Sequence, residues 1–92
     1  MAEEEKKRIL VVDDEISLIE GVRDILELAG YEILTAHNGK EGLALFQSAR
    51  PDLVVADIMM PVMDGYGFCA QVRQLPYGVQ TPFIFLTAKG EK

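Results

Sequence analysis

Three carboxylates stand where buried segments of the chain end, and these residues are the best candidates for chemistry. Asp13 and Asp14 follow the apolar run from Ile9 to Val12, and Asp57 follows the run from Leu53 to Ala56. If the two runs are neighbouring parallel strands, the three side chains share one pocket, because ligand sites form at the carboxyl ends of such strands. Clustered carboxylates repel one another unless a cation is present. Oxygen ligands of this kind suit Mg²⁺ better than zinc.

A pocket of this composition is suited to receive a phosphoryl group. A divalent cation would offset the repulsion between Asp57 and an incoming phosphate, and it would stabilise charge on the transferring oxygens. A carboxylate could then attack phosphorus. Thr87 follows another apolar run, from Phe83 to Leu86, at the same predicted edge. The alternative interpretation is that these acids are only solvated loop residues, and their occurrence at two separate strand ends argues against it.

The segments that carry these residues alternate between strand and helix patterns. Short apolar runs rich in β-branched residues predict strands over 9–12, 31–36, 53–56 and 82–86. Apolar residues at helical spacing predict three helices between these strands. The predicted buried faces are Ile19, Val22, Leu26 and Ala29 in the first helix, Leu43 and Phe46 in the second, and Phe68, Val72 and Leu75 in the third. This order predicts an α/β fold, an open parallel sheet with right-handed crossovers and helices on both faces.

Capping and breaking residues set the bounds of the predicted helices. Gly30 is expected to end the first helix. Asn38 is the predicted N-cap of the second helix, with Glu41 three positions on, and Pro51 is expected to terminate that helix. Asp64 is placed to cap the third helix after an irregular loop.

Composition excludes several classes of function. The 92 residues, 49% hydrophobic and 26% charged, predict one globular domain over 8–92 behind a disordered, charged tail over 1–7. A net charge of −6 opposes binding to nucleic acid. The single Cys69 and single His37 exclude a disulfide framework and a His/Cys metal cluster. No apolar run approaches the roughly 20 residues that span a bilayer, and no signal peptide is evident, so no membrane partner and a cytoplasmic location are expected.

Three segments of the sequence resemble the signature segments of a known family. Val11-Val12-Asp13-Asp14-Glu15, the nine residues from Asp57 to Gly65, and Phe85-Leu86-Thr87-Ala88 are similar to those of the response regulator receiver domains of two-component signal transduction. The similarity runs from Arg8 to Lys92. It implies a flavodoxin-like sheet in which the four predicted strands have the order 2-1-3-4.

The resemblance also implies a role for each site residue. Asp57 would be the phospho-acceptor, taking a phosphoryl group from a histidine kinase, and Thr87 would turn its hydroxyl toward that group. Mg²⁺ would be held by Asp14 directly, by Asp13 through water, by Asp57 and by the backbone carbonyl of Met59. Whether the domain also hydrolyses its own aspartyl phosphate, and so counts as an enzyme, is left open.

The sequence departs from the family pattern at its C-terminal end. Receiver domains have five strands and five helices, whereas four strands and three helices are predicted here. The lysine that ends the fifth strand in the family has no counterpart, since Lys89 and Lys92 do not match that motif. We therefore expect a truncated receiver domain whose fourth strand is an exposed apolar edge that favours homo-oligomers. The alternative function is a structural, self-associating unit without a working phosphorylation switch.

Two other families match parts of the sequence poorly. Gly65 to Ala70 follows the letters of the G-x-G-x-x-A dinucleotide motif, but it lies after a loop instead of directly after the first strand. Phosphatases resembling haloacid dehalogenases carry a second Asp two positions after the nucleophile, where this chain has Met59. Acid-nucleophile hydrolysis therefore stays only a minor alternative.

Overall fold

A four-stranded parallel sheet forms the centre of the protein in a computed structural model that describes residues 6–60 and 62–86. The strands are β1 (Arg8–Val12), β2 (Glu32–Ala36), β3 (Leu53–Asp57) and β4 (Phe83–Leu86). All three strand pairs are parallel, and the order is β2-β1-β3-β4. The predicted α/β class, the flavodoxin-like open parallel sheet and the order 2-1-3-4 are confirmed.

Three helices connect the strands, and two of them begin at the predicted caps. The helices are α1 (Ile16–Leu28), α2 (Gly39–Ala49) and α3 (Gly65–Arg73), and a 3₁₀ turn over Pro76–Gly78 precedes β4. At α2, Asn38 Oδ1 accepts from the Glu41 amide at 2.8 Å, and Glu41 Oε1 accepts from the His37 amide at 2.7 Å. At α3, Asp64 Oδ1 accepts from the Gly67 amide at 2.7 Å. These hydrogen bonds fix where both helices start.

Each face of the sheet packs against helices and forms its own apolar core. On one face, α2 and α3 contribute Phe46, Phe68 and Val72 to a cluster with Leu10 and Val12. On the other face, residues of α1 pack on alternate strand residues, in a cluster of Ile9, Val11, Ile19 and Val55 flanked by Val22 and Leu26. Strand residues alternate between the two cores because successive side chains point to opposite faces. The strand ends are therefore held from both sides.

Some boundaries differ from those the sequence pattern predicts. The first helix ends at Leu28, one residue before the last predicted apolar position, Ala29; Gly30 terminates it as predicted, with φ 102, a conformation that glycine adopts without steric cost. Leu75 lies beyond the end of α3, although it packs against the same core as predicted. The chain also makes a 3₁₀ turn over Pro76–Gly78, where no element is predicted.

The start of the chain is only partly described. The predicted tail over 1–7 lies mostly outside the described residues, and Lys7 accepts a backbone hydrogen bond from Glu32 at 2.9 Å. The division into a tail and a domain over 8–92 stays a prediction. No helix in the described part of the chain has the length and apolar character needed to cross a membrane.

Candidate functional site

The three predicted carboxylates lie together at the carboxyl edge of the sheet. Val12 and Ala56 are in register on the neighbouring strands β1 and β3, so Asp13 and Asp57 follow at the same level. One side-chain oxygen from each of Asp13, Asp14 and Asp57 lies within 4.8 Å of the other two. The juxtaposition results from parallel pairing of β1 with β3, as the spacing of the acids predicts.

Two of these carboxylates are buried and the third is at the surface. Asp13 is 0% exposed and Asp57 is 1% exposed, whereas Asp14 is exposed. Buried charges are unfavourable unless they are hydrogen-bonded or compensated by an opposite charge. The pocket therefore has two carboxyl groups in its interior and one accessible carboxyl group at its rim.

Backbone amides hold the two buried carboxylates in place. The Glu15 amide donates to Asp13 Oδ1 at 2.9 Å, and the Met59 amide donates to Asp57 Oδ1 at 3.3 Å. The Asp13 amide donates in turn to the Ala36 carbonyl of β2 at 3.1 Å. The main chain around β1 and β3 therefore contributes to the orientation of the acidic side chains.

The described residues of the loop after β3, 58–60 and 62–64, are closed onto the end of that strand. The Gly65 amide donates to the Ile58 carbonyl at 2.9 Å. A Cβ at residue 65 would collide with the backbone carbonyl of Asp57, so only glycine allows this close approach. Val62 within the loop has φ 74, a left-handed conformation that is unfavourable for a β-branched residue. We call residues 58–60 and 62–64 the β3–α3 loop.

The donor set at this edge fits a hard divalent cation. Its ligands would all be oxygens, from three carboxylates and the Met59 carbonyl, and the site offers no thiolate or imidazole among the described residues that gather there. Mg²⁺ prefers such ligands and keeps several waters, which the exposed rim at Asp14 allows. The cation would also compensate the repulsion among the carboxylates.

Some parts of the site fall outside the sequence prediction or outside the described residues. Thr87 is not among the described residues; its neighbour Leu86 is in register with Asp57 at the end of β4. The amide contacts of Glu15 and Met59 are not predictable from the sequence, because backbone donors leave no pattern in the residue types. The contact of Gly39 with the β3–α3 loop is not predictable either, because it depends on tertiary packing.

Comparison with known proteins gives one consistent result. The family model described as "Response regulator receiver domain" matches residues 9–92. A probable transcriptional regulator, ycf27, of Cyanophora paradoxa is 49% identical over 86 residues, which cover 94% of this chain and 35% of that protein. The alkaline phosphatase synthesis transcriptional regulatory protein PhoP of Bacillus subtilis is 43% identical, with the same coverage of both chains. This chain spans about a third of the length of these curated relatives.

Solved structures give the same result at the level of the fold. The chemotaxis protein CheY4 of Vibrio cholerae has a TM-score of 0.89 and is 40% identical, and the match covers 95% of this chain and 72% of that one. The signal receiver domain of a signal transduction histidine kinase from Syntrophus aciditrophicus has a TM-score of 0.85 and is 35% identical, covering 92% of this chain and 64% of that one.

Proposed function

We propose that this chain, which belongs to the response regulator receiver domain family, is a phospho-acceptor of two-component signalling. In this proposal, Asp57 is the residue that is phosphorylated. One observation carries the proposal: Asp57 shares its pocket with Asp13 and Asp14, with oxygens within 4.8 Å of one another. A single carboxylate at a strand end would repel an incoming phosphoryl group. Three carboxylates can bind the cation that compensates the charge of that group.

In the proposed reaction, a carboxylate oxygen of Asp57 attacks the phosphorus of a phosphohistidine on a histidine kinase. The new O–P bond forms as the P–N bond breaks, and the electron pair of that bond stays on the imidazole nitrogen. The imidazole leaves in its neutral form when its other nitrogen carries a proton. The product is an aspartyl phosphate on this chain, and no further reactant is needed.

The neighbouring residues would bind the cation and orient the acceptor. Asp13, Asp14, Asp57 and the Met59 carbonyl would hold Mg²⁺, which when bound stabilises the negative charge on the transferring oxygens. The Met59 amide, 3.3 Å from Asp57 Oδ1, holds one carboxylate oxygen so that the other can face the donor. We assign to the Thr87 hydroxyl a hydrogen bond to the phosphoryl group.

The partner of this step would be a histidine kinase, and nucleic acid is not expected to bind to this segment. Its net charge of −6 repels a phosphate backbone. The relatives named as transcriptional regulators are about three times as long, so we assign only the phospho-acceptor step to these residues. The cytoplasmic location expected from the sequence stays a prediction.

We further propose that the 92-residue chain self-associates through β4. Among the described strands, β4 pairs only with β3, so its other edge lies at the border of the sheet. Ile84 is 50% exposed and is in register with Val55, on the face covered by α1. Apolar residues beside a strand edge of this kind favour association with another copy.

The intact mass of the chain tests the phospho-acceptor proposal. After incubation with Mg²⁺ and acetyl phosphate, the wild type is expected to gain one phosphoryl group and Asp57→Asn none. Asp24→Asn is the matched control, because Asp24 is an exposed carboxylate on α1; it should react like the wild type. Phosphorylation of Asp57→Asn would show that the acceptor is wrong, and no reaction of the wild type would favour a purely structural role.

A further inference from the structure

The first turn of α2 lies directly against the β3–α3 loop. Gly39 is buried, and a Cβ at residue 39 would lie 2.8 Å from the Met63 carbonyl oxygen and 2.9 Å from Met63 Cβ. Neither atom can rotate away, because one belongs to the main chain and the other is attached to it. Any side chain at residue 39 would therefore displace either α2 or the loop.

The start of α2 is held by its cap and by close packing on the core. Its start is held by two hydrogen bonds, from the Glu41 amide to Asn38 Oδ1 and from the His37 amide to Glu41 Oε1. One turn further on, a Cβ at Gly42 would lie 3.0 Å from Val12 Cγ2 and 3.2 Å from Phe68 Cζ, so α2 also packs closely on the core. Displacing α2 would disturb these contacts, and so we expect the loop to move instead.

Movement at Met63 would be transmitted to the site. The loop is closed by the hydrogen bond from Gly65 to Ile58, at 2.9 Å, and the strained Val62 directly precedes Met63. A closed loop with an unfavourable residue has little freedom to absorb a displacement. Its first residues include Met59, whose amide lies 3.3 Å from Asp57 Oδ1.

We propose that Gly39 is a positioning residue for the Mg²⁺ site, acting through Met63 on the loop that carries Met59. The inference rests on the proposed function of that site. Gly39 lies on α2, outside the loop. Because it has no side chain, Met63 can approach α2 closely. The position of the Met59 carbonyl then depends on residue 39.

Two glycine variants on the same helix test this proposal. Gly39→Ala is expected to weaken Mg²⁺ binding by about tenfold, the lower end of the usual effect of residues that support metal ligands. Gly42→Ala is the matched control, because its added methyl group meets the core and not the loop. Mg²⁺ affinity would be measured by calorimetry on protein shown to be folded by circular dichroism. Equal affinities for the two folded variants would overturn the proposal.

Amide chemical shifts in metal-free protein separate this inference from the proposed function. Gly39→Ala should shift the Met59 and Gly65 amides more than Gly42→Ala does. If the wild type fails to bind Mg²⁺, the assignment of the metal site is wrong, and these shifts still report whether residue 39 positions the loop. Shifts confined to α2 would overturn the positioning role.

A second pair of variants serves if Gly39→Ala does not fold. Met63→Ala loosens the same contact from the loop side and should also weaken Mg²⁺ binding several-fold. Leu75→Ala is its control, since Leu75 is likewise a half-buried residue packed on the same core cluster but lies outside the loop. Equal Mg²⁺ affinities for these two variants would contradict the proposal.

Discussion

Replacing Val62 by glycine is expected to stabilise the protein, although most substitutions by glycine destabilise. Val62 has φ 74, and a residue held in such a conformation costs about 1–3 kcal/mol. Its side chain is 79% exposed, so its removal sacrifices little apolar burial. Glycine adds about 0.5–1 kcal/mol of backbone entropy loss on folding. The difference is a net stabilisation of about 1 kcal/mol, or about 4–8 °C in Tm for a domain of this size.

Urea denaturation followed by circular dichroism measures this difference directly. The control is Val79→Gly, because Val79 is also an exposed valine, at 57%, but has an ordinary φ of −65. The free energy of unfolding of Val79→Gly should fall by about 0.5–1 kcal/mol, because no backbone strain is relieved. Val62→Asn should resemble Val62→Gly, because asparagine tolerates positive φ. If Val62→Gly loses as much stability as Val79→Gly, the backbone at Val62 is not strained.

Two further outcomes test the metal site and the association surface. Mg²⁺ at 100 times its Kd should stabilise the wild type by about 2.7 kcal/mol. Asp14→Asn should lose most of this gain without unfolding, because Asp14 is exposed. An equal effect of Mg²⁺ on the thermal denaturation of both proteins would exclude Asp14 as a ligand. Ile84→Lys should lower the mass that light scattering measures at high protein concentration. Val79→Lys, at a similarly exposed site outside the sheet, should leave that mass unchanged. A monomeric wild type would refute self-association through β4.

The sequence predicted the parts of this fold that local patterns determine. The apolar runs before Asp13 and Asp57 marked central strands, because strands buried on both faces lack polar alternation. Once those strands are neighbours, the acids at their ends must meet. Asn38 and Asp64 marked the starts of two helices, since their side chains cap amides close by in the chain.

The parts that sequence reasoning missed depend on contacts between distant segments. Val62 gives no sign of a positive φ, because β-branched residues avoid it and glycine or asparagine would be expected there. Gly39 looked like an ordinary residue after a cap until the fold brought Met63 against it. On α1, the apolar stripe was predicted correctly, yet Ile25 and Leu28, outside that stripe, are 67% and 89% exposed.

The backbone amides of Glu15 and Met59 hold the buried carboxylates, and this has a consequence for how such a chain diverges. A main-chain donor is present in every residue except proline, so Glu15 and Met59, both exposed, can be replaced by other residues without losing either hydrogen bond. Duplicated copies can therefore acquire different outward residues around an unchanged chemical centre. The recognition of different phosphodonors and the capacity to accept a phosphoryl group can then evolve separately.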